Sequence, residues 1–285
     1  MKNHTQRFPA LAALKGWMGW MAVVLLLSAC SEYNKILKST NIEEKYNYAL
    51  RCYNDKEYYK CLPILEELIG VTRGTGRAED VFYYYAQTHM AVEDFYLANY
   101  YFKSFTKTFS LSPRSEECQF LAAYCSQQVS PESSLDQTDT RNAIDEYQLF
   151  LDKYPNSALR DSANKMVYRL NNKLEIKDVD ITKQYVKTRQ YQAAVSRIDR
   201  FLQEYPMSSY KEELQYLAIL SNYEFAKGSV DEKKIERYRA TIETYITFAN
   251  LFPQSRYIKD AERYYEESRS EVEKLTQTTQ NTGTK

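Results

Sequence analysis

Residues 143–157 read AIDEYQLFLDKYPNS, and the pattern returns as AVSRIDRFLQEYPMS at 194–208 and TIETYITFANLFPQS at 241–255. In each copy a small residue (Ala143, Ala194, Thr241) is followed four positions on by a large apolar one (Tyr147, Ile198, Tyr245). Three further on stands Phe150, Phe201 or Phe248. Steps of four and three place these side chains on one helical stripe. A proline then follows (Pro155, Pro206, Pro253), and it ends the helix because its ring fills the place of a backbone donor. Two residues later a serine (Ser157, Ser208, Ser255) stands where it can cap the next helix. Ser209 with Glu212 fits a capping box.

Two earlier stripes keep the spacing without the proline: Cys61, Leu65, Leu68 and Ala98, Phe102, Phe105. Each of these five second helices has a candidate first helix with a small residue at its crossing point. These read Tyr48-Ala49-x2-Cys52, Tyr85-Ala86-x2-His89, Leu121-Ala122-x2-Cys125, Ile181-Thr182-x2-Tyr185 and Leu217-Ala218-x2-Ser221. Twelve residues separate Ala49 from Cys61, Ala86 from Ala98 and Thr182 from Ala194, whereas Ala122 and Ala143 stand 21 apart and Ala218 and Thr241 stand 23 apart. The two longer intervals predict loop insertions, one within 126–142 and one over about 227–234, at sites that a repeat array tolerates. The 51 residues from Ala143 to Ala194 instead predict longer helices around 159–176.

This spacing resembles the tetratricopeptide repeat, in which paired helices meet at small residues. The resemblance implies an all-α fold, a tetratricopeptide-repeat superhelix (α-solenoid) of about five helix pairs plus a C-terminal capping helix. The repeats are expected at about 41–76, 77–112, 113–157, 158–208 and 209–255, inside a domain over 41–275. The repeat core is expected at Ala49, Cys61, Ala86, Ala98, Ala122, Ala143, Ala194 and Ala218. Residues 276–285 carry no apolar side chain and read as a disordered tail.

Composition agrees. The 285 residues include 27 Tyr but only seven Gly and seven Pro, which favours long helices over turns. With 44% hydrophobic residues the chain is not disordered as a whole. Lys+Arg and Asp+Glu are equal at 38 each, so no large basic footprint marks a nucleic-acid binder.

At the N-terminus Lys2, Arg7 and Lys15 precede an apolar run from Gly16 to Leu27, followed by Ser28-Ala29-Cys30. A basic stretch, a short apolar stretch and small residues form an export signal. The run is too short to span a bilayer comfortably. Leu27-Ser28-Ala29-Cys30 resembles the lipobox of bacterial lipoproteins. That likeness implies a signal peptide over 1–29, cleaved before Cys30. It further implies a covalent diacylglycerol and N-acyl chain on Cys30 (palmitate-type lipidation) and a lipid anchor and linker over 30–40. By resemblance to the sorting rules of those lipoproteins, Ser31 in place of an acidic residue implies the outer membrane, with the body in the periplasm.

Chemistry-bearing motifs are few. Cys52, Cys61 and Cys125 fall on core stripes and Cys118 one turn before Leu121, so all four read as small buried residues; Cys52 and Cys61 face each other closely enough to allow a disulfide. His89 is the sole histidine after the signal and lies on a core stripe, so no metal site is expected. No phosphate loop and no nucleophile–base set is present, which predicts no catalytic residues and no enzyme. First-helix residues off the core stripe are the better candidates. Tyr46, Leu50, Tyr53, Tyr83, Gln87 and Met90 would line a groove suited to an extended peptide, since tyrosine offers area and a hydroxyl at low entropic cost.

Asp136-Gln137-Thr138, followed by Phe150-Leu151-Asp152-Lys153-Tyr154-Pro155-Asn156-Ser157, makes the likeness more specific. With the lipobox and five repeats, these residues are similar to the BamD family, lipoprotein subunits of the β-barrel assembly machine (BAM complex). The resemblance implies a non-enzymatic scaffold in outer-membrane protein assembly and membrane insertion. Its expected partners are a BamA-like POTRA β-barrel protein at the C-terminal repeats and unfolded outer-membrane β-barrel proteins at an N-terminal groove. The lipid bilayer is a further partner, through the anchor. Pilotin-like and SusD-like repeat lipoproteins share the lipid and the repeats, but the first have no reason to carry the Asp-Gln-Thr loop and the second are much longer.

Overall fold

The computed structural model describes residues 32–282, with side chains as far as 278. Within that range every regular element is helical. The signal peptide over 1–29 and the lipidation residue Cys30 lie outside the described residues.

The chain divides into two compact units, 32–131 with 138–167, and 132–137 with 168–282. The first unit begins with α1 (32–38). It continues with α2 (Ile42–Asn54) and α3 (Tyr58–Val71), then α4 (Ala78–Ala91) and α5 (Phe95–Thr108), then α6 (Ser115–Gln128) and α7 (Thr138–Lys153). Helix α8 (Arg160–Lys187) carries the chain across the division. The second unit continues with α9 (Tyr191–Glu204), α10 (Lys211–Lys227), α11 (Asp231–Leu251) and α12 (Ile258–Thr282). Within each unit, helices adjacent in sequence pack together, as an all-α helical repeat requires.

The small residues lie where the helices meet. Ala86, Ala98, Ala122, Ala143, Ala194 and Cys61 have no exposed surface, and Ala49 and Ala218 have almost none. Thr182 and Thr241 fill two of these sites because each hydroxyl donates to the carbonyl one turn back, Asp178 O at 2.8 Å and Arg237 O at 3.4 Å. Around them Phe102, Phe105, Tyr147, Phe150, Ile198 and Phe248 are fully buried.

The three pairs with a twelve-residue interval share one turn. Lys56, Glu93 and Arg189 hold φ of 61°, 63° and 60° just after the first helix. The next amide reaches back five residues, Glu57 to Cys52 O (2.8 Å), Asp94 to His89 O (2.9 Å) and Gln190 to Tyr185 O (2.9 Å). This is the Schellman arrangement, which satisfies the last carbonyls of a helix and reverses the chain in three residues.

A second recurring device joins four of the five pairs to the next helix. Ser112, Ser157, Ser208 and Ser255 accept from the amide two residues on, each at 3.0 Å. Each hydroxyl then donates to a glutamate of the preceding first helix: Glu79 (2.7 Å), Glu116 (2.5 Å), Glu175 and Glu212 (2.6 Å). These serines therefore close turns rather than cap helices. The expected capping box is corrected accordingly: Tyr210 stands at the N-cap of α10 and no side chain caps it.

Three further expectations are corrected. Residues 32–38 are not a free linker: Ile36 is buried and Tyr33 and Leu37 pack against the first core, while Lys45 Nζ donates to Leu37 O at 3.1 Å and pairs with Glu67. The extra residues of the fifth pair do not form a loop. Only 228–230 separate α10 from α11, and the surplus lengthens those helices to 17 and 21 residues. The tail is helical as far as Thr282, where Thr276 and Thr278 each donate to the carbonyl one turn back.

The insertion in the third pair is a true loop, 129–137. Its 132–137 part is ordered from inside. The buried Gln137 amide donates to Glu132 O (2.7 Å) and Leu135 O (3.0 Å). Lys177 Nζ on α8 donates to Ser133 O (3.2 Å), Ser134 O (3.3 Å) and Leu135 O (2.5 Å). The Asp136-Gln137-Thr138 motif is thus a loop-closing device.

Candidate functional site

The first helices of the N-terminal unit present tyrosine at helical spacing, and packing decides which of them reach the surface. Tyr46 and Gln87 are buried, at 4% and 7% exposure. The expectation that they line an open groove is corrected. Tyr46 is covered by the Arg77 guanidinium, 4.6 Å above its ring, and Arg77 is in turn held by Glu43 (Nε–Oε2 3.1 Å). Gln87 spends its amide on Tyr83 Oη at 2.8 Å. Both are interior because residues on these helices also face the next repeat, a demand that one helix's periodicity does not reveal.

Leu50, Tyr53, Tyr83 and Met90 are half-buried, each with part of its surface against a core. Tyr84, which the spacing did not single out, joins them. It lies 5.2 Å from Tyr53 and 5.5 Å from Tyr83, both edge to face, and Tyr53 lies 5.6 Å from Tyr58. Tyr58, Tyr53, Tyr84 and Tyr83 therefore form a chain of four rings across α2, α3 and α4. Aromatic pairs prefer this tilted geometry. The signal for Tyr84 was the run Phe82-Tyr83-Tyr84-Tyr85, whose consecutive rings cannot all face one core.

The rim is charged. Arg114 lies 4.6 Å above the Tyr83 ring and donates to Asp80 Oδ1 at 2.7 Å, and Tyr83 Oη lies 3.1 Å from Glu117 Oε1. Burial, with Asp80 nearby, pushes the Tyr46 phenol up to about 12. Burial also raises Tyr83, helped by Glu117, and Tyr53, helped by Tyr58 and Tyr84. These phenols stay protonated at neutral pH. They offer hydrogen bonds and ring surface, not a base or nucleophile.

The cysteines give no reactive group. Cys52, Cys61, Cys118 and Cys125 are buried free thiols, and burial raises Cys61, Cys118 and Cys125 to about 12. Cys61 Sγ donates to Ala49 O at 3.2 Å. His89 is buried between Tyr85 and Tyr101. Among the described residues no group of three or more His, Cys, Asp or Glu could hold a metal ion.

A family model described as "YfiO: Outer membrane lipoprotein" matches residues 38–198 and 196–274. The chain belongs to the YfiO family of outer membrane lipoproteins. This is the family domain of BamD. The match takes in every helix of the YfiO-family fold from α2 to α11 and most of α12. Among solved structures, the P58(IPK) TPR domain is similar at 12% identity, covering 84% of this chain and 66% of that chain with a TM-score of 0.40. No curated protein matches the chain. Among the described residues of this YfiO-family chain, no helix is long and apolar enough to cross a membrane.

Proposed function

We propose that this chain is a lipid-anchored scaffold of an outer-membrane β-barrel assembly machine and not an enzyme. Cys30 carries the acyl chains and the helical body lies in the periplasm. The C-terminal repeats bind a BamA-like POTRA β-barrel protein, and the N-terminal unit engages unfolded outer-membrane β-barrel proteins. The observation that carries this reading is the family match over residues 38–274. The ring chain of Tyr58, Tyr53, Tyr84 and Tyr83 supports it, since half-buried tyrosines can exchange contacts with an extended, aromatic-rich segment.

The test is a mild-detergent pull-down of the tagged, lipidated protein from outer membranes with mass spectrometry of what co-purifies. A stoichiometric POTRA-barrel protein is expected. Recovery of a secretin, or of a sugar transporter without the barrel protein, would overturn the assignment. For the ring chain, the double change Tyr53→Ala and Tyr84→Ala should weaken binding of barrel-derived peptides by about tenfold, the equivalent of 1.4 kcal/mol. Helical content should hold, because both rings are only half-buried. Unchanged affinity would remove these tyrosines from the substrate site.

A further inference from the structure

A cavity of about 730 Å³ opens on another flank of the N-terminal unit, where the end of α3 and the 72–77 loop meet α4 and α5. It shares no residue with the ring chain described above. Its size falls in the range of small-ligand pockets. Phe82, Tyr101 and Phe109 line it, with Phe82 5.9 Å from Tyr101 and 6.0 Å from Phe109, both edge to face. Tyr100, Ser104 and Thr108 fall on one face of α5 along its wall, and Tyr100 is 60% exposed.

The charge at this cavity is one-sided. Arg73 is the sole charged residue among those lining it. Its side chain is exposed, and among the described residues no carboxylate pairs with it. Arg77, four residues on, is consumed by Glu43 and the Tyr46 ring. Gly74 turns the loop at φ 77°, a conformation open to glycine, just after Arg73. A ring-lined hollow beside an unpaired guanidinium and no carboxylate complements an anionic partner carrying one flat apolar group.

We propose that this cavity is a docking site for an acidic segment of a partner protein, which inserts one aromatic side chain between Phe82, Tyr100, Tyr101 and Phe109 while its carboxylates meet Arg73. The inference goes beyond the assembly-machine reading and does not depend on it. Its probe is a short dye-labelled peptide of alternating Asp and Ser with one central Phe. Two companion peptides carry Lys for Asp, or Ser for Phe. Binding is read by fluorescence anisotropy on the full lipidated chain in phosphatidylcholine nanodiscs.

The acidic Phe peptide should bind best, and its affinity should fall as salt rises, because the charge contact sits at an exposed rim. Arg73→Glu should weaken it by about tenfold or more and flatten the salt dependence. Ser104→Trp, which fills the hollow, should weaken it by a similar factor while the salt dependence set by Arg73 remains, and Tyr100→Ala serves where that variant does not fold. Arg141→Glu, an exposed charge elsewhere in the unit, should leave binding unchanged. Equal binding of the Lys peptide, or indifference to Arg73→Glu, would overturn the proposal. Binding of phosphatidylglycerol vesicles that needs Arg73, with no peptide bound, would overturn it in favour of a lipid surface.

Discussion

His89 shows how a repeat position becomes a titrating group. It fills the site that Cys52, Cys125, Tyr185 and Ser221 fill in the other pairs, with its ring 4.6 Å from Tyr85 and 5.5 Å from Tyr101. Its Nδ1 lies 3.3 Å from Asp94 Oδ2. Burial holds its pKa below the ordinary 6.5, and Asp94 and Glu66 pull the other way. The unfolded chain therefore takes up this proton at a higher pH than the folded one. The stability contribution is intact above 6.5 and is lost as pH falls below it. Calorimetry should show the melting temperature falling from about pH 7 to about pH 5, with a smaller fall in His89→Leu. A rise on acidification would mean that Asp94 outweighs burial. Phe102 gives the contrasting case of an apolar residue with no exposed surface. Phe102→Ala should destabilise the unit by about 3–5 kcal/mol, measured by denaturant unfolding, because its neighbours cannot collapse fully into the gap.

At the scale of the element, the turns and latches decide how the helices connect. Lys56, Glu93 and Arg189 sit in the left-handed region, where a Cβ is disfavoured. Replacing each with Gly should stabilise the fold by roughly 1 kcal/mol, since it relieves that backbone conformation and leaves the Schellman hydrogen bonds in place. A loss of stability in chemical denaturation would mean that these side chains make contacts that matter more. Helix pairing was legible because the stripes Ala143-Tyr147-Phe150, Ala194-Ile198-Phe201 and Thr241-Tyr245-Phe248 keep one period. The role of Ser208 and Ser255 was not legible. Each accepts from the amide two residues on and donates to a glutamate more than thirty residues earlier, and only the folded chain brings those groups together.

At the scale of the whole molecule, we propose Cys30 as the membrane attachment, on the likeness of Leu27-Ser28-Ala29-Cys30 to the lipobox together with membership of the outer membrane lipoprotein family. Cys30→Ser should shift the protein from the outer-membrane fraction to the soluble periplasmic fraction, because acyl chains supply stable membrane affinity without a spanning helix. A variant still fractionating with the outer membrane would show that partners alone can hold it there.

Sequence periodicity determined the helices, their pairing and the small residues at their crossings, because one helix's buried stripe is written in steps of three and four along the chain. Tertiary structure alone decided which tyrosines are interior. Tyr46 lies under Arg77, whereas Tyr53 meets Tyr84 edge to face, and each partner comes from a neighbouring repeat. It also decided that Gln137 and Lys177 close the 132–137 loop, and that Arg73 stands unpaired beside a ring-lined hollow. A residue's own helix sets the direction of its side chain, but the surface that meets it belongs to chain far away in sequence.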